Sequence, residues 1–253
     1  MKICLKMLPI FLTLLLCFSC SDDGKMIAPN PNNNPFPDSI PVVIPDIPVV
    51  VPNTSKKYLA LGDSYTIGQN VCETCRFPAQ LKDSLQLRYN INTSVKIIAT
   101  TGWTTTNLIS AINNQNPTTD YDLVTLLIGV NNQYQNKPFS LYEQEFPQLV
   151  NKAIAFAKND INRVVVVSIP DYAFTPYGNG NMTISQQISQ YNAFAQNYCI
   201  SRNIKFVNIT DITRQGLNDL ELVASDGLHP SSKAYSKFVN LILPQALSIL
   251  QQP

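Results

Sequence analysis

The chain has 253 residues, of which 14% are charged and 45% hydrophobic, with a formal net charge of +1. That is enough length and apolar material for one sizeable domain plus additional segments. A near-neutral chain without a run of Lys and Arg lacks the electrostatic footprint of a nucleic-acid-binding protein.

Residues 1–19 read as a leader. Lys2 and Lys6 precede an apolar stretch, Ile10 to Leu16, that is too short to span a bilayer. Leu16-Cys17-Phe18-Ser19-Cys20 follows, with a small residue before a cysteine at the end of the apolar run. This resembles a bacterial lipoprotein signal, which implies cleavage before Cys20 and acylation of its thiol. Cys17 stands where such signals usually carry leucine, and an ordinary secretory leader is the alternative. Ser21-Asp22-Asp23 is similar to the acidic tag that sends some lipoproteins to the cell surface. The implied location is the cell envelope, lipid-anchored at the outer membrane or cell surface.

Residues 20–54 change composition sharply. Pro29, Pro31, Pro35, Pro37, Pro41, Pro45, Pro48 and Pro52 alternate with Asn and short Val/Ile pairs. Prolines this dense block helix and sheet interior alike, so the segment is expected to be an extended tether. Val49-Val50-Val51 is a candidate edge against the domain.

From residue 55 to residue 253 strands alternate with helices. The patterns predict strands at Lys57–Leu61, Val95–Ala99, Leu123–Ile128, Val164–Ile169 and Lys205–Asn208. Helices are predicted at Pro78–Arg88 and Thr105–Asn113, from Ser140 with Glu143 completing a capping box, at Ile184–Arg202, and at Ser232–Leu250. Pro147 is expected to kink or restart its helix, and Pro244 to bend the closing one. The sum is a three-layer α/β/α sandwich on a five-stranded parallel sheet. In such sheets ligands bind beyond the carboxyl ends of the strands, and Ser64, Gly102, Asn131 and Asp171 each follow a predicted strand shortly.

Three cysteines remain beyond Cys4, Cys17 and Cys20. Cys72-Glu73-Thr74-Cys75 could be half of a zinc site, a redox pair or a local disulfide. Zinc wants four ligands, and the surroundings are not thioredoxin-like, so the disulfide is preferred. Cys199 lies near the apolar stripe Ile184, Ile188, Tyr191, Ala195 and Tyr198 and is expected to be a buried free thiol.

The chain contains one histidine, His229, within Asp226-Gly227-Leu228-His229-Pro230. Far upstream, Gly62-Asp63-Ser64-Tyr65 ends a predicted strand. Together these supply what serine hydrolysis needs: a nucleophile in Ser64, a base in His229 and an orienting carboxylate in Asp226. Because there is one histidine, the base has no rival. The chain lacks Gly-x-Ser-x-Gly, so an ordinary α/β-hydrolase is not indicated.

Four blocks in order resemble the SGNH (GDSL-type) hydrolase family: Gly62-Asp63-Ser64-Tyr65 with Gly68, the lone Gly102, Gly129-Val130-Asn131-Asn132, and Asp226 to Pro230. Ser168 to Tyr172 is also similar to a loop many members have. The resemblance spans about 200 residues and implies a flavodoxin-like fold and an esterase without metal or organic cofactor. It also implies an oxyanion hole made by the backbone N–H groups of Ser64 and Gly102 and the side-chain amide of Asn131. A side chain at position 102 would crowd the approaching acyl group. Asn132 departs from the family, which usually carries Asp there, and this puts the local hydrogen-bond network in question. Asp63 is expected to hold the nucleophile turn. Asp171, Tyr172 and Thr175 line the pocket or form a structural turn, and Trp103 and Tyr134 shape the site or simply pack.

The expected function is hydrolysis of carboxylic esters, either short acyl groups on carbohydrates or lipid esters, through an acyl-enzyme on Ser64. The absence of a long apolar lid insertion favours short acyl groups or an open cleft. A non-catalytic surface binding module on the same fold and an acyltransferase are the alternatives.

Overall fold

The computed structural model describes residues 55–252. The expected leader, the expected lipidation site at Cys20, the expected tether and the candidate Val49–Val51 edge lie outside the described residues.

Five strands form one parallel sheet: β1 (Lys56–Gly62), β2 (Thr93–Ala99), β3 (Leu123–Leu127), β4 (Val164–Val167) and β5 (Lys205–Val207). Their order is β2-β1-β3-β4-β5, and every pairing is parallel. Register places Leu61 between Ile98 of β2 and Leu126 of β3. Tyr58 to Leu61, all of β3 and all of β4 are buried. That explains their hydrophobic runs, interrupted only by Thr125, whose hydroxyl is paired with the Tyr58 hydroxyl at 2.9 Å: a parallel sheet covered on both faces has no solvent side for unpaired polar residues to occupy.

The helices are α1 (Ser64–Ile67), α2 (Phe77–Tyr89), α3 (Thr105–Gln115), α4 (Val130–Tyr134), α5 (Phe139–Phe156), α6 (Met182–Ser201), α7 (Thr210–Thr213) and α8 (Ser232–Leu250). One layer is made by α2 and α8, which pack on each other, with α8 also against β3, β4 and β5. The other layer holds α3, α5 and α6, with α5 packed on β3 and α6 on β5. Beneath α5 and α6 lies an aromatic cluster, with Tyr142 and Tyr191 ring centroids 4.6 Å apart. The stripe predicted for α6 faces this core through Ile188, Tyr191 and Ala195, and Cys199 is buried and free as expected. Tyr198 is only partly buried.

Two local expectations are corrected. Ser140 does not cap α5: the helix begins at Phe139, its N-cap is Pro138, and no side chain caps it. A proline at the cap presets the entry angle without any hydroxyl, so the Ser-x-x-Glu spacing carries no capping box here. Pro147 does not restart the helix, which runs unbroken through it.

The strand order reverses direction between β1 and β3. That is the switch point where a crevice opens beyond the strand ends, and β1, β2 and β3 each deliver one short loop to it.

Candidate active site

The first loop is set by β1. Gly62 ends the strand, Asp63 turns the chain, and Ser64 opens α1. Asp63 is the N-cap: its Oδ1 accepts from the backbone N–H of Tyr65 at 3.0 Å. The carboxyl is fully buried, and its Oδ2 has no hydrogen-bond partner among the described residues. Burial pushes it up to about 7, against the stabilising Tyr65 N–H and the nearby Asn131 amide. Asp63 thus holds the turn that carries Ser64, as the sequence suggested.

The second loop follows β2. Gly102 has φ +82°, a backbone that side chains rarely adopt. A Cβ placed there would meet no protein atom within 4 Å, and the residue lines the cavity. The loop is gripped from both sides. Thr101 donates from Oγ1 to Gln69 Oε1 at 2.5 Å, and Gln135 Nε2 donates to the Gly102 carbonyl at 2.8 Å.

The third loop follows β3. Gly129 has φ +131°, and a Cβ there would stand 2.6 Å from the Tyr142 ring, so the tight entry into α4 requires glycine. Asn131 and Asn132 sit on the first turn of α4. Asn131 Nδ2 donates to the Trp103 carbonyl at 3.1 Å, which fixes its amide beside the second loop. Asn132 is fully buried. Its Oδ1 accepts from the Thr105 N–H at 2.9 Å and its Nδ2 donates to Thr105 Oγ1 at 2.7 Å. The Thr105 hydroxyl then donates to Glu145 of α5. The amide at position 132 therefore completes the network, and the carboxylate stands one step further out, on Glu145.

The last segment precedes α8. Asp226 Oδ1 accepts from the backbone N–H groups of Leu228 and His229, each at 3.0 Å. His229 Nδ1 lies 2.6 Å from Asp226 Oδ2. Burial raises the Asp226 carboxyl, but the His229 ring and these N–H groups outweigh it and hold it at about 2. An ionised Asp226 keeps the proton on Nδ1 of the neutral ring, leaving Nε2 as an acceptor. The Tyr65 ring packs on His229 at 5.1 Å between centroids, and the His229 carbonyl accepts from Ala224 N–H at 2.7 Å.

These loops meet around one half-open cavity of about 220 Å³, lined by Ser64, Gly102, Asn131 and His229, with Tyr65, Thr101, Val130, Tyr134, Tyr172 and Leu228. Among the described residues, neither the Ser64 and Gly102 backbone N–H groups nor Ser64 Oγ makes a hydrogen bond. Two backbone donors are therefore free where an oxyanion hole was expected. No hydrogen bond joins Ser64 to His229 in the resting protein, although both face the cavity; such contacts commonly tighten only with substrate.

The remaining expectations divide. Tyr172 lines the cavity and donates from its hydroxyl to Gln133 at 2.7 Å. Asp171 is buried and structural, bound by Ser185 Oγ at 2.6 Å and Arg214 Nε at 3.0 Å. Thr175 closes the same turn by donating to the Tyr172 carbonyl at 2.8 Å. Tyr134 reaches the cavity, whereas Trp103 packs against the core and contributes its carbonyl. Cys72 and Cys75 are joined to each other as a disulfide. Sequence reasoning missed Gln69, Gln135 and Asn70, which donates from Nδ2 to Asp226 Oδ2. No motif marks these residues.

The comparisons with known proteins agree with this picture. A family model described as GDSL-like lipase/acylhydrolase matches residues 60–237. No curated protein matches the chain. Among solved structures, a lipase from a goat rumen metagenome superposes with a TM-score of 0.62 at 18% identity, covering 76% of this chain and 97% of that one. An acetyl xylan esterase from Geobacillus stearothermophilus gives 0.58 at 19% identity, covering 76% and 94%. A psychrotrophic esterase from Pseudoalteromonas, inhibited by monoethylphosphonate, gives 0.55 at 17% identity, covering 78% and 100%. At these identities the likeness is one of fold.

Proposed function

Because the chain belongs to the GDSL-like lipase/acylhydrolase family, we propose that it is a serine esterase that removes short acyl groups from carbohydrate esters through an acyl-enzyme on Ser64. The observation that carries this reading is the meeting of Ser64, Gly102, Asn131 and His229 around one cavity, with Asp226 on the far nitrogen of the only imidazole.

The chemistry runs in two halves. Ser64 Oγ attacks the ester carbonyl as His229 Nε2 takes its proton, and the carbonyl π electrons move onto oxygen. The Ser64 and Gly102 N–H groups and the Asn131 amide receive that oxyanion. Collapse expels the alcohol, which leaves with the proton from His229. Water, deprotonated by His229, then attacks the acyl-enzyme, and collapse releases the acid as Ser64 Oγ takes that proton back from His229. Asp226 orients the ring and balances its positive charge throughout.

Two features support a short acyl group on a sugar. The cavity of about 220 Å³ is smaller than the roughly 300–1,000 Å³ of pockets that enclose larger ligands. At its rim Tyr134 and Tyr177 are exposed and joined hydroxyl to hydroxyl at 2.8 Å, and Tyr134 stacks edge-on against Tyr172. Rings with hydroxyl tips offer both an apolar face and hydrogen bonds, which suits a pyranose better than an acyl tail. The fold-level likeness to an acetyl xylan esterase is in keeping with that choice.

The sequence further supports attachment to the cell envelope through a lipid on Cys20, with residues 20–54 as the spacer. Radiolabelled fatty acid should be incorporated into the expressed protein and lost in Cys20→Ser.

The reading is tested by kcat/KM on p-nitrophenyl esters from acetate to decanoate, with Ser64→Ala as the blank. Activity should peak at acetate. A peak at long chains would move the substrate to lipids, and rates no higher than the blank on every ester would overturn the esterase reading.

A further inference from the structure

We propose that Asn70 is a positioning residue that holds the Asp226–His229 pair in register with the nucleophile turn. The proposal rests on the esterase reading and names a device within that site.

Asn70 and Asp226 are 156 residues apart in sequence, yet Asn70 Nδ2 donates to Asp226 Oδ2, the same oxygen that faces His229 Nδ1. The segment carrying Asn70 grows directly out of the nucleophile turn. The N–H groups of Gly68 and Gln69 both donate to the Ser64 carbonyl at 3.0 Å. Gly68 at φ +79° and Asn70 at φ +62° then turn the chain back towards the Asp226 segment. Gln69, between them, holds Thr101 of the loop that carries Gly102. Three consecutive residues after α1 thus tie together the nucleophile turn, the glycine loop and the acid–base pair.

The segment beyond Asn70 is anchored to the same target. The Cys72–Cys75 disulfide closes the next turn. Gln80 Nε2 donates to the Cys75 carbonyl at 2.5 Å and to the Ser232 carbonyl at 3.1 Å. Ser232 is the first residue of α8, three positions beyond His229. Residues 70–80 therefore touch the chain on both sides of the histidine.

Asn suits position 70 for two independent reasons. It tolerates the left-handed backbone, and it donates an N–H to a carboxylate. Glycine keeps the first property and loses the second. Aspartate also tolerates the backbone but turns the donor into a second negative charge beside Asp226.

The test compares Asn70→Gly and Asn70→Asp with the wild type in the full chain, using p-nitrophenyl acetate. Asn70→Gly should lower kcat about tenfold with KM nearly unchanged, since one hydrogen bond to a charged group is lost. Asn70→Asp should lose more than Asn70→Gly. If Asn70 served only its turn, aspartate would behave like the wild type and any loss would follow the folded fraction measured by circular dichroism. Wild-type kcat in Asn70→Gly, or that pattern, would overturn the proposal. Ser64→Ala run alongside separates the two failures: if it too kept wild-type activity, the esterase reading itself would fall.

Discussion

Asn132 Nδ2 donates to the Thr105 hydroxyl at 2.7 Å, and that hydroxyl donates in turn to Glu145. Direction along this chain matters. A carboxylate accepts only, so an aspartate at position 132 would compete with Glu145 for the single Thr105 proton. The substitution Asn132→Asp should therefore destabilise the fold by about 1–3 kcal/mol, the cost of leaving a buried polar group unpaired. Adding Glu145→Gln should recover most of the loss, because a glutamine can donate where the glutamate accepted. Thermal melts of the two single variants and the double variant measure the coupling; additive losses would contradict it.

Asn131 is held by the Trp103 carbonyl at 3.1 Å and faces the cavity. Asn131→Ala should lower kcat by roughly 10²–10³ while KM changes little, as for loss of one oxyanion donor. A variant with raised KM and intact kcat would make Asn131 a substrate-binding residue instead.

Gly102 separates backbone strain from catalysis. A methyl there meets no protein atom within 4 Å but forces φ +82° on alanine. Gly102→Ala should cost about 1–2 kcal/mol of stability and, on the proposed mechanism, a much larger share of activity, because a methyl at this lining position would crowd the acyl group. Activity falling only in step with the folded fraction would remove Gly102 from the site.

Much of this was legible beforehand because it is local. The buried strands announce themselves as apolar runs such as Val164 to Val167. The Asp226–His229 pair was legible because three residues span a single turn, and Ser64 because it follows a strand end. What was not legible is the chemistry between distant segments. Asn70 reads as an ordinary loop residue until the chain folds it onto Asp226. The consequence of Asn132 depends on Glu145, on a different helix. Ser140 misled because a capping signature is a statement about one hydroxyl, and Pro138 starts α5 without it.

Burial pushes Asp63 up to about 7 from the ordinary 3.8. A raised carboxyl is fully protonated in both folded and unfolded chains only below about pH 4. As the pH rises towards 7 the unfolded chain ionises first, and the folded state loses a few kcal/mol from this group. Asp63→Asn keeps the acceptor for the Tyr65 N–H and removes the penalty, so its Tm relative to wild type should rise between pH 4 and pH 8. A difference that stays flat over that window would contradict burial as the cause.

At the rim, Tyr134→Ala should raise KM on an acetylated oligosaccharide several-fold more than on p-nitrophenyl acetate, since the first substrate alone has a sugar to stack. Equal effects on both would argue against an aromatic shelf for the alcohol.

The central claim is that Ser64, activated by His229, attacks an acyl carbonyl. A serine-reactive phosphonate followed by peptide mass spectrometry tests it most directly. One adduct is expected, on the peptide containing Ser64, absent in Ser64→Ala and slowed by at least a hundredfold in His229→Ala, on the scale of losing a triad base. A folded protein that takes up no phosphonate, or labels equally well without His229, would contradict the account and favour a binding module on the same fold.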